Sequence, residues 1–298
     1  MSTIEAANKH SGIHISALKR RDAIGAEGTN QSCHGNEDGV DPNNKAIISH
    51  VRVMVLCWGR FYEDHPDALD NAYALCRDLV SGTYFNGLAQ YGVGRGSVAG
   101  QARFDDTNPP KALSMNEARE RIKGFVESLP LPERPAVDET SLLYVLFPPP
   151  QTKPTIFSGR DDFCGYHNST KFHPESQNDD LFYALIRTDK AHQTSGSALI
   201  NDVSACVSHE IAEAVTSRDG RGYHKGDCEI GDLCEQTGYH DYRGWNVEQY
   251  WSQWDRACVN GENPVSIRRF LQEVGVPGNL LALHTPVVNI EYIASGFR

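Results

Sequence analysis

Short apolar runs alternate with longer stripes at three- and four-residue steps along most of the chain. Val51-Arg-Val-Met-Val-Leu-Cys57, rich in β-branched residues and ending at Trp58-Gly59, predicts a buried strand. Ser141-Leu-Leu-Tyr-Val-Leu-Phe147, stopped by three prolines, and Phe182-Tyr-Ala-Leu-Ile186 predict two more. Ser97 to Phe104 predicts another, entered through a tight turn at Gly92-Val-Gly-Arg-Gly96. That turn lacks the G-x-G-x-x-G spacing of a dinucleotide site. A helix is predicted over 67–80, with Ala68, Ala72, Leu75 and Leu79 on one face and Asp64 or Asp67 as its cap. Ser114-Met-Asn-Glu117 is a capping-box pattern opening a second helix, whose stripe runs through Ala118, Ile122, Phe125, Val126 and Leu129 to Pro130. Tyr84 to Tyr91 reads as a loop or short strand, and Tyr250-Trp-Ser-Gln-Trp254 as a core strand. Ser266 to Val274 reads as a helix and Val287 to Ile293 as a last strand. Alternating strands and helices predict one mixed α/β (α+β) layered domain over 46–298. Residues 1–45, polar and without a sustained period, predict a flexible arm with a short helix near Ile15 to Arg21.

The helical pattern from Ser197 to Ser217 is long enough for a central helix. Leu199, Ile200, Val203, Val207, Ile211, Ala214 and Val215 form its apolar stripe. Asp202, Cys206, His209, Glu213 and Thr216 fall on a neighbouring stripe, predicted to face a cleft. Asp219-Gly220 supplies the stop.

That second stripe carries the candidate chemistry. His209 and Glu213 are four residues apart, one helical turn on one face, where an imidazole and a carboxylate can grip one divalent cation. Glu210 follows the first ligand, where H-E-x-x-H metalloproteases place the carboxylate that activates water. The second His of that motif is here Glu213, giving H-E-x-x-E. Cys228-Glu-Ile-Gly-Asp-Leu-Cys-Glu235 offers the missing third ligand, Glu229 or Asp232. Cys164-Gly-Tyr-His167 reads as a loop near this cleft, with Tyr166 and His167 as donors to developing negative charge. The plainer alternative is that they pack and cap. The leading expectation is a zinc-dependent hydrolase, a zincin-like metallopeptidase or amidase acting on a peptide or small molecule, with Glu210 activating a metal-bound water. A carboxylate-rich ligand set also admits another divalent ion. The alternative is a non-catalytic binding or structural protein whose metal pins the 228–235 loop to the helix. Four protein ligands would mark a structural site, and three with an open position a catalytic one.

Four segments occur in the same order as in a known family: Asn86-Gly-Leu-Ala-Gln-Tyr-Gly-Val-Gly-Arg-Gly-Ser97, Phe163-Cys-Gly-Tyr-His167, Ser208-His-Glu-Ile-Ala-Glu-Ala-Val-Thr216 and Glu229-Ile-Gly-Asp-Leu-Cys234. Over roughly Val51 to Val259 the chain resembles a microbial family distantly related to the plant phosphate-induced, Exordium-type proteins. The resemblance implies a zincin-like site with His209, Glu213 and the Glu229/Asp232 pair as its metal residues. Ser217-Arg218 departs from the Asp-Pro or Asn-Pro that usually follows the Thr in that family. The plant branch lacks the H-E pair, which implies that the fold does not require metal.

Composition narrows the field. An apolar content of 39% supports a sizeable core. A formal net charge of −11 argues against nucleic acid as a partner and gives no support to an anionic membrane. No apolar run reaches the roughly 20 residues of a membrane span, and the first residues show no secretory pattern. The expectation is therefore cytoplasmic, with export by another route left open. The eight cysteines include no C-x-x-C pair. A bridge among Cys228, Cys234 and Cys258 is available under oxidising conditions, and reduced packed thiols otherwise.

Overall fold

The structure, a computed structural model, describes residues 14–17, 46–104, 109–130, 134–136, 139–155, 163–192, 196–225 and 228–261 (backbone alone at 14–17 and 236). The predicted C-terminal helix and strand and most of the N-terminal arm lie outside the described residues. The strands of the first two thirds are β1 (His14–Ala17), β2 (Arg52–Trp58), β3 (Ser97–Phe104), β4 (Ala112–Ser114), β5 (Leu142–Phe147), β6 (Lys153–Thr155), β7 (Phe163–Thr170) and β8 (Leu181–Ile186). The helices are α1 (Phe61–Asp64), α2 (Pro66–Ser81), α3 (Met115–Ser128) and α4 (Gly196–Thr216).

Six strands form one sheet in the order β1-β7-β8-β5-β2-β3. β8, β5, β2 and β3 run parallel, whereas β7 pairs antiparallel with both β8 and β1. The central strands are buried on both faces, which explains their near-continuous apolar sequence. Val53, Val55 and Cys57 of β2 face one core with Leu143, Val145 and Phe147 of β5; Leu56, Trp58, Tyr144 and Leu146 face the other. The connection from β2 through α2 to β3 and the return through α3 to β5 run in opposite directions across the sheet. Crossovers of one hand then place α2 and α3 on opposite faces, as the two cores show. The result is a mixed α/β layered domain, as the alternating pattern predicts.

Several local expectations change. His14–Ala17 is a strand rather than part of a helix. Thr83–Tyr91 is a 3₁₀ helix, ending at Gly92 with φ 81°. Neither Asp64 nor Asp67 caps α2, whose N-cap is His65 with Pro66 in the first turn. Asp67 instead accepts a 2.7 Å hydrogen bond from the Ser197 backbone N–H, so an acid on one helix satisfies an orphan donor at the start of α4. The Ser114–Glu117 capping box at α3 forms as read.

From Val203 to Thr216 every residue of α4 is buried. One side packs on β7, β8 and α2, and the other is covered by the strand Trp245–Glu248, which pairs in a hairpin with Tyr239–Tyr242. The polar stripe therefore does not face an open cleft, because the chain after residue 228 folds over it. Tyrosines fasten that cover: Tyr84 Oη donates to the Glu248 carbonyl at 2.9 Å, Tyr250 Oη to Tyr84 O at 2.6 Å and Tyr91 Oη to Trp251 O at 2.8 Å. A disulfide between Cys234 and Cys258 closes the segment, one of the pairings open to the three C-terminal cysteines. Among the described residues no helix is long and apolar enough to cross a membrane.

Candidate metal centre

The i, i+4 spacing on α4 brings His209 Nε2 to 3.1 Å from Glu213 Oε1. The segment after Cys228 folds back onto this face. Asp232 Oδ1 lies 3.8 Å from His209 Nε2, and the Asp232 N–H donates to Glu213 Oε1 at 3.0 Å. Glu229 N–H donates to Asp232 Oδ2 at 3.0 Å, which fixes the turn. Gly231 makes this approach available. A Cβ there would stand 2.8 Å from His209 Nδ1 and 2.9 Å from Glu213 Oε1, closer than real Cβ contacts come. The Gly in Glu-Ile-Gly-Asp thus serves close packing, its φ of −73° being open to any residue.

Asp232 and Glu229, alternatives in sequence, go to different partners. Asp232 joins His209 and Glu213. Glu229 reaches the other imidazole, its Oε2 lying 3.4 Å from His167 Nε2. His167 Nδ1 is 3.2 Å from Glu210 Oε2 and 3.8 Å from Glu213 Oε2. Ligand atoms of His209, Glu213 and Asp232 lie within 4.8 Å of one another, and so do those of His167, Glu213 and Glu229. Either triad could hold a cation.

His167 comes from β7, not from a loop. The glycine in Cys164-Gly-Tyr-His167 punctuates the sequence without breaking the strand. Gly165 pairs with Ile186 and His167 with Ala184, so both face α4, and a Cβ on Gly165 would stand 2.8 Å from Glu210 Oε1. Tyr166, one residue away, points to the other face, as strand alternation requires. It sits in the opposite core against Tyr183 at 6.2 Å and takes no part in the cluster. Its expected role as a donor in the site is therefore corrected. The β1–β7 register shift passes over Cys164, a bulge that turns this residue towards α4, where it forms a disulfide with Cys206.

Glu248 belongs to the site and carries no sequence signal that would have placed it there. Its Oε2 lies 3.0 Å from His209 Nδ1. An ionised carboxylate accepts, so Nδ1 carries the proton and Nε2 is turned to the ligand side, the arrangement that orients metal-binding histidines. Glu248 is itself held by its N–H donating to Ser208 Oγ at 2.9 Å.

Burial sets the electrostatics. His167, His209, Glu210, Glu213, Glu229 and Glu248 are at most 2% exposed, and Asp232 is 9% exposed. Each of the five carboxylates lies within 4 Å of one of the two imidazoles. Burial alone would lower the His209 pKa. The charges of Glu213 and Glu248 outweigh it and hold the imidazole well above its usual value. Burial opposes protonation of His167 likewise, and Glu229 and Glu210 overcome it. Asp232 is pushed well up by burial and by Glu213. So much buried negative charge calls for cations. His209 Nε2, buried and turned toward the carboxylates, has no hydrogen-bond partner among the described residues. One imidazole and two carboxylates suit zinc or a similar divalent ion. Two surface clefts, one between α3 and Phe104 and one beside Ser197 and Trp245, do not reach the cluster.

No protein-family model matches the chain, and no curated protein matches it.

Proposed function

We propose that the chain is a metal-dependent hydrolase of zincin-like character. Its cation, zinc in the first instance, would be held by His209, Glu213 and Asp232. The observation that carries this reading is the oriented His209: its Nδ1 is tied to Glu248 and its Nε2 faces two carboxylates. Three protein donors leave a position for water or substrate, the mark of a catalytic set. A divalent cation bound there would supply Lewis acidity, to polarise a carbonyl and acidify water. Glu210 accepts the water proton. Glu210 would then return that proton to the leaving group, with His167 Nδ1, 3.2 Å from Glu210 Oε2, positioning the carboxylate. Peptides and small amides are the proposed substrates. The resemblance to the H-E-x-x-E microbial family supports the same assignment. Two disulfides among the described residues favour an oxidising setting over the cytoplasm.

The near-complete burial of the donors favours a second reading, in which the ion only pins the 228–235 segment to α4. The test is zinc content and hydrolysis of a quenched peptide library by protein purified without added metal, beside Glu210→Gln. Retained metal with lost turnover supports Glu210 as the base. Stoichiometric metal with no wild-type turnover, together with a fall in melting temperature on chelation, supports the structural ion.

A further inference from the structure

Glu213 belongs to both triads, and each of its two oxygens lies near a different imidazole. Oε1 is 3.1 Å from His209 Nε2, and Oε2 is 3.8 Å from His167 Nδ1. From this geometry we infer a second divalent-cation site on His167, Glu213 and Glu229, with Glu213 bridging two ions. The inference rests on the reading of His209, Glu213 and Asp232 as a cation site and extends it to a dinuclear centre.

Three observations converge. The first is composition: the His167 set is a buried imidazole with two buried carboxylates, drawn from β7, α4 and the 228–235 segment, whose ligand atoms lie within 4.8 Å of one another. The second is geometry. A carboxylate that gives one oxygen to each of two ions holds them roughly 3.5–4 Å apart, the spacing of two-metal hydrolytic centres. The third is charge. Glu210, Glu213, Glu229, Asp232 and Glu248 are five buried carboxylates around two imidazoles. One dication on a neutral His209 offsets two of those five charges, and a second on a neutral His167 brings the total to four. Two dications therefore leave fewer buried charges uncompensated than one dication does, even with a proton on His167. The oxygen-rich set suits manganese as well as zinc. In a hydrolase such a pair clamps both the attacking and the leaving oxygen, which widens the substrate class from amides to phosphate esters.

The test is stoichiometry and magnetic coupling in the full chain. The protein is stripped with chelator, dialysed against zinc and analysed for metal, and a parallel sample is loaded with Mn²⁺ for electron paramagnetic resonance. Folding of each variant is checked by circular dichroism. The expected result is two ions in the wild type, one in Glu229→Gln and one in His167→Gln. Mn²⁺ spectra should be exchange-coupled in the wild type and of isolated-ion form in the variants. If Glu229→Gln does not fold, His167→Gln carries the comparison. A single ion that survives both substitutions and is lost in Asp232→Asn overturns the second site and leaves the proposed function standing. A single ion lost in Glu229→Gln and kept in Asp232→Asn overturns the His209 site and the bridge together. No bound ion overturns both.

Discussion

His209 and Glu248, 39 residues apart, share a buried 3.0 Å contact between Nδ1 and Oε2. It turns Nε2 toward Glu213 and Asp232, and it depends on a hairpin laid across α4. Loss of such an outer carboxylate costs about 10–100-fold in metal affinity. Glu248→Gln keeps the shape and can still bond to Nδ1, but it removes the charge that raises the ligand's basicity. Zinc affinity, measured by competition with a chromophoric chelator, is expected to fall in that range while the circular dichroism spectrum is unchanged. An unaltered affinity would remove His209 as a ligand oriented through Glu248.

Gly231 tests the close approach of the acidic turn. Its backbone, at φ −73° and ψ −50°, is ordinary for any residue, so alanine brings no conformational strain. The added methyl would sit 2.8 Å from His209 Nδ1 and 2.9 Å from Glu213 Oε1. Gly231→Ala is therefore expected to lose bound metal in elemental analysis, with a folded chain by circular dichroism. Full metal content would show that the turn can retreat without cost and that Asp232 is not needed.

What the sequence made legible follows from local physics. The strands β2, β5 and β8 announced themselves because parallel strands buried on both faces leave almost no polar positions. α4 was visible because a buried helix with one functional stripe keeps its three- and four-residue steps. His209, Glu210 and Glu213 lie on one helix, so spacing alone set their geometry. The sequence puts His167 on a loop, since Gly165 reads as a breaker when nothing reveals that Glu210 and Cys206 leave no room for a side chain. Tyr166 follows it to the wrong side for the same reason, because on a strand it must point away from its neighbour. Glu248 was invisible. Its partner is 39 residues away, and no periodicity links a hairpin to the helix beneath it.

The Cys234–Cys258 bridge closes a loop with a sequence separation of 24 and ties the acidic turn to the strand Ala257–Val259. Chain-entropy arguments for a loop of this length give about 3–4 kcal/mol. Cys258→Ser is expected to lower unfolding stability by that amount, read from denaturant midpoints under non-reducing conditions. The same substitution should change little in the presence of reductant strong enough to open the bridge in the wild type. Equal midpoints without reductant would show that the acidic turn is held by its buried contacts alone.

The capping box of α3 provides a pH-dependent measure far from the metal centre. Glu117 accepts from Ser114 N–H at 2.8 Å and from Ser114 Oγ at 2.7 Å, while Glu117 N–H donates to Ser114 Oγ at 3.2 Å. These bonds hold the Glu117 pKa below its ordinary value of 4.5. The carboxylate is lower in the folded chain than in the unfolded one, so the unfolded state binds its proton first as pH falls. Its contribution is complete above the unfolded pKa and disappears as pH drops through the depressed folded value. Ser114→Ala removes the cap at any pH, at a cost of about 1 kcal/mol. Glu117→Gln should lower the melting temperature at neutral pH, and the gap from wild type should close as the pH is taken below the folded pKa. A gap that stays constant through that range would assign the effect to side-chain packing rather than to the ionised carboxylate.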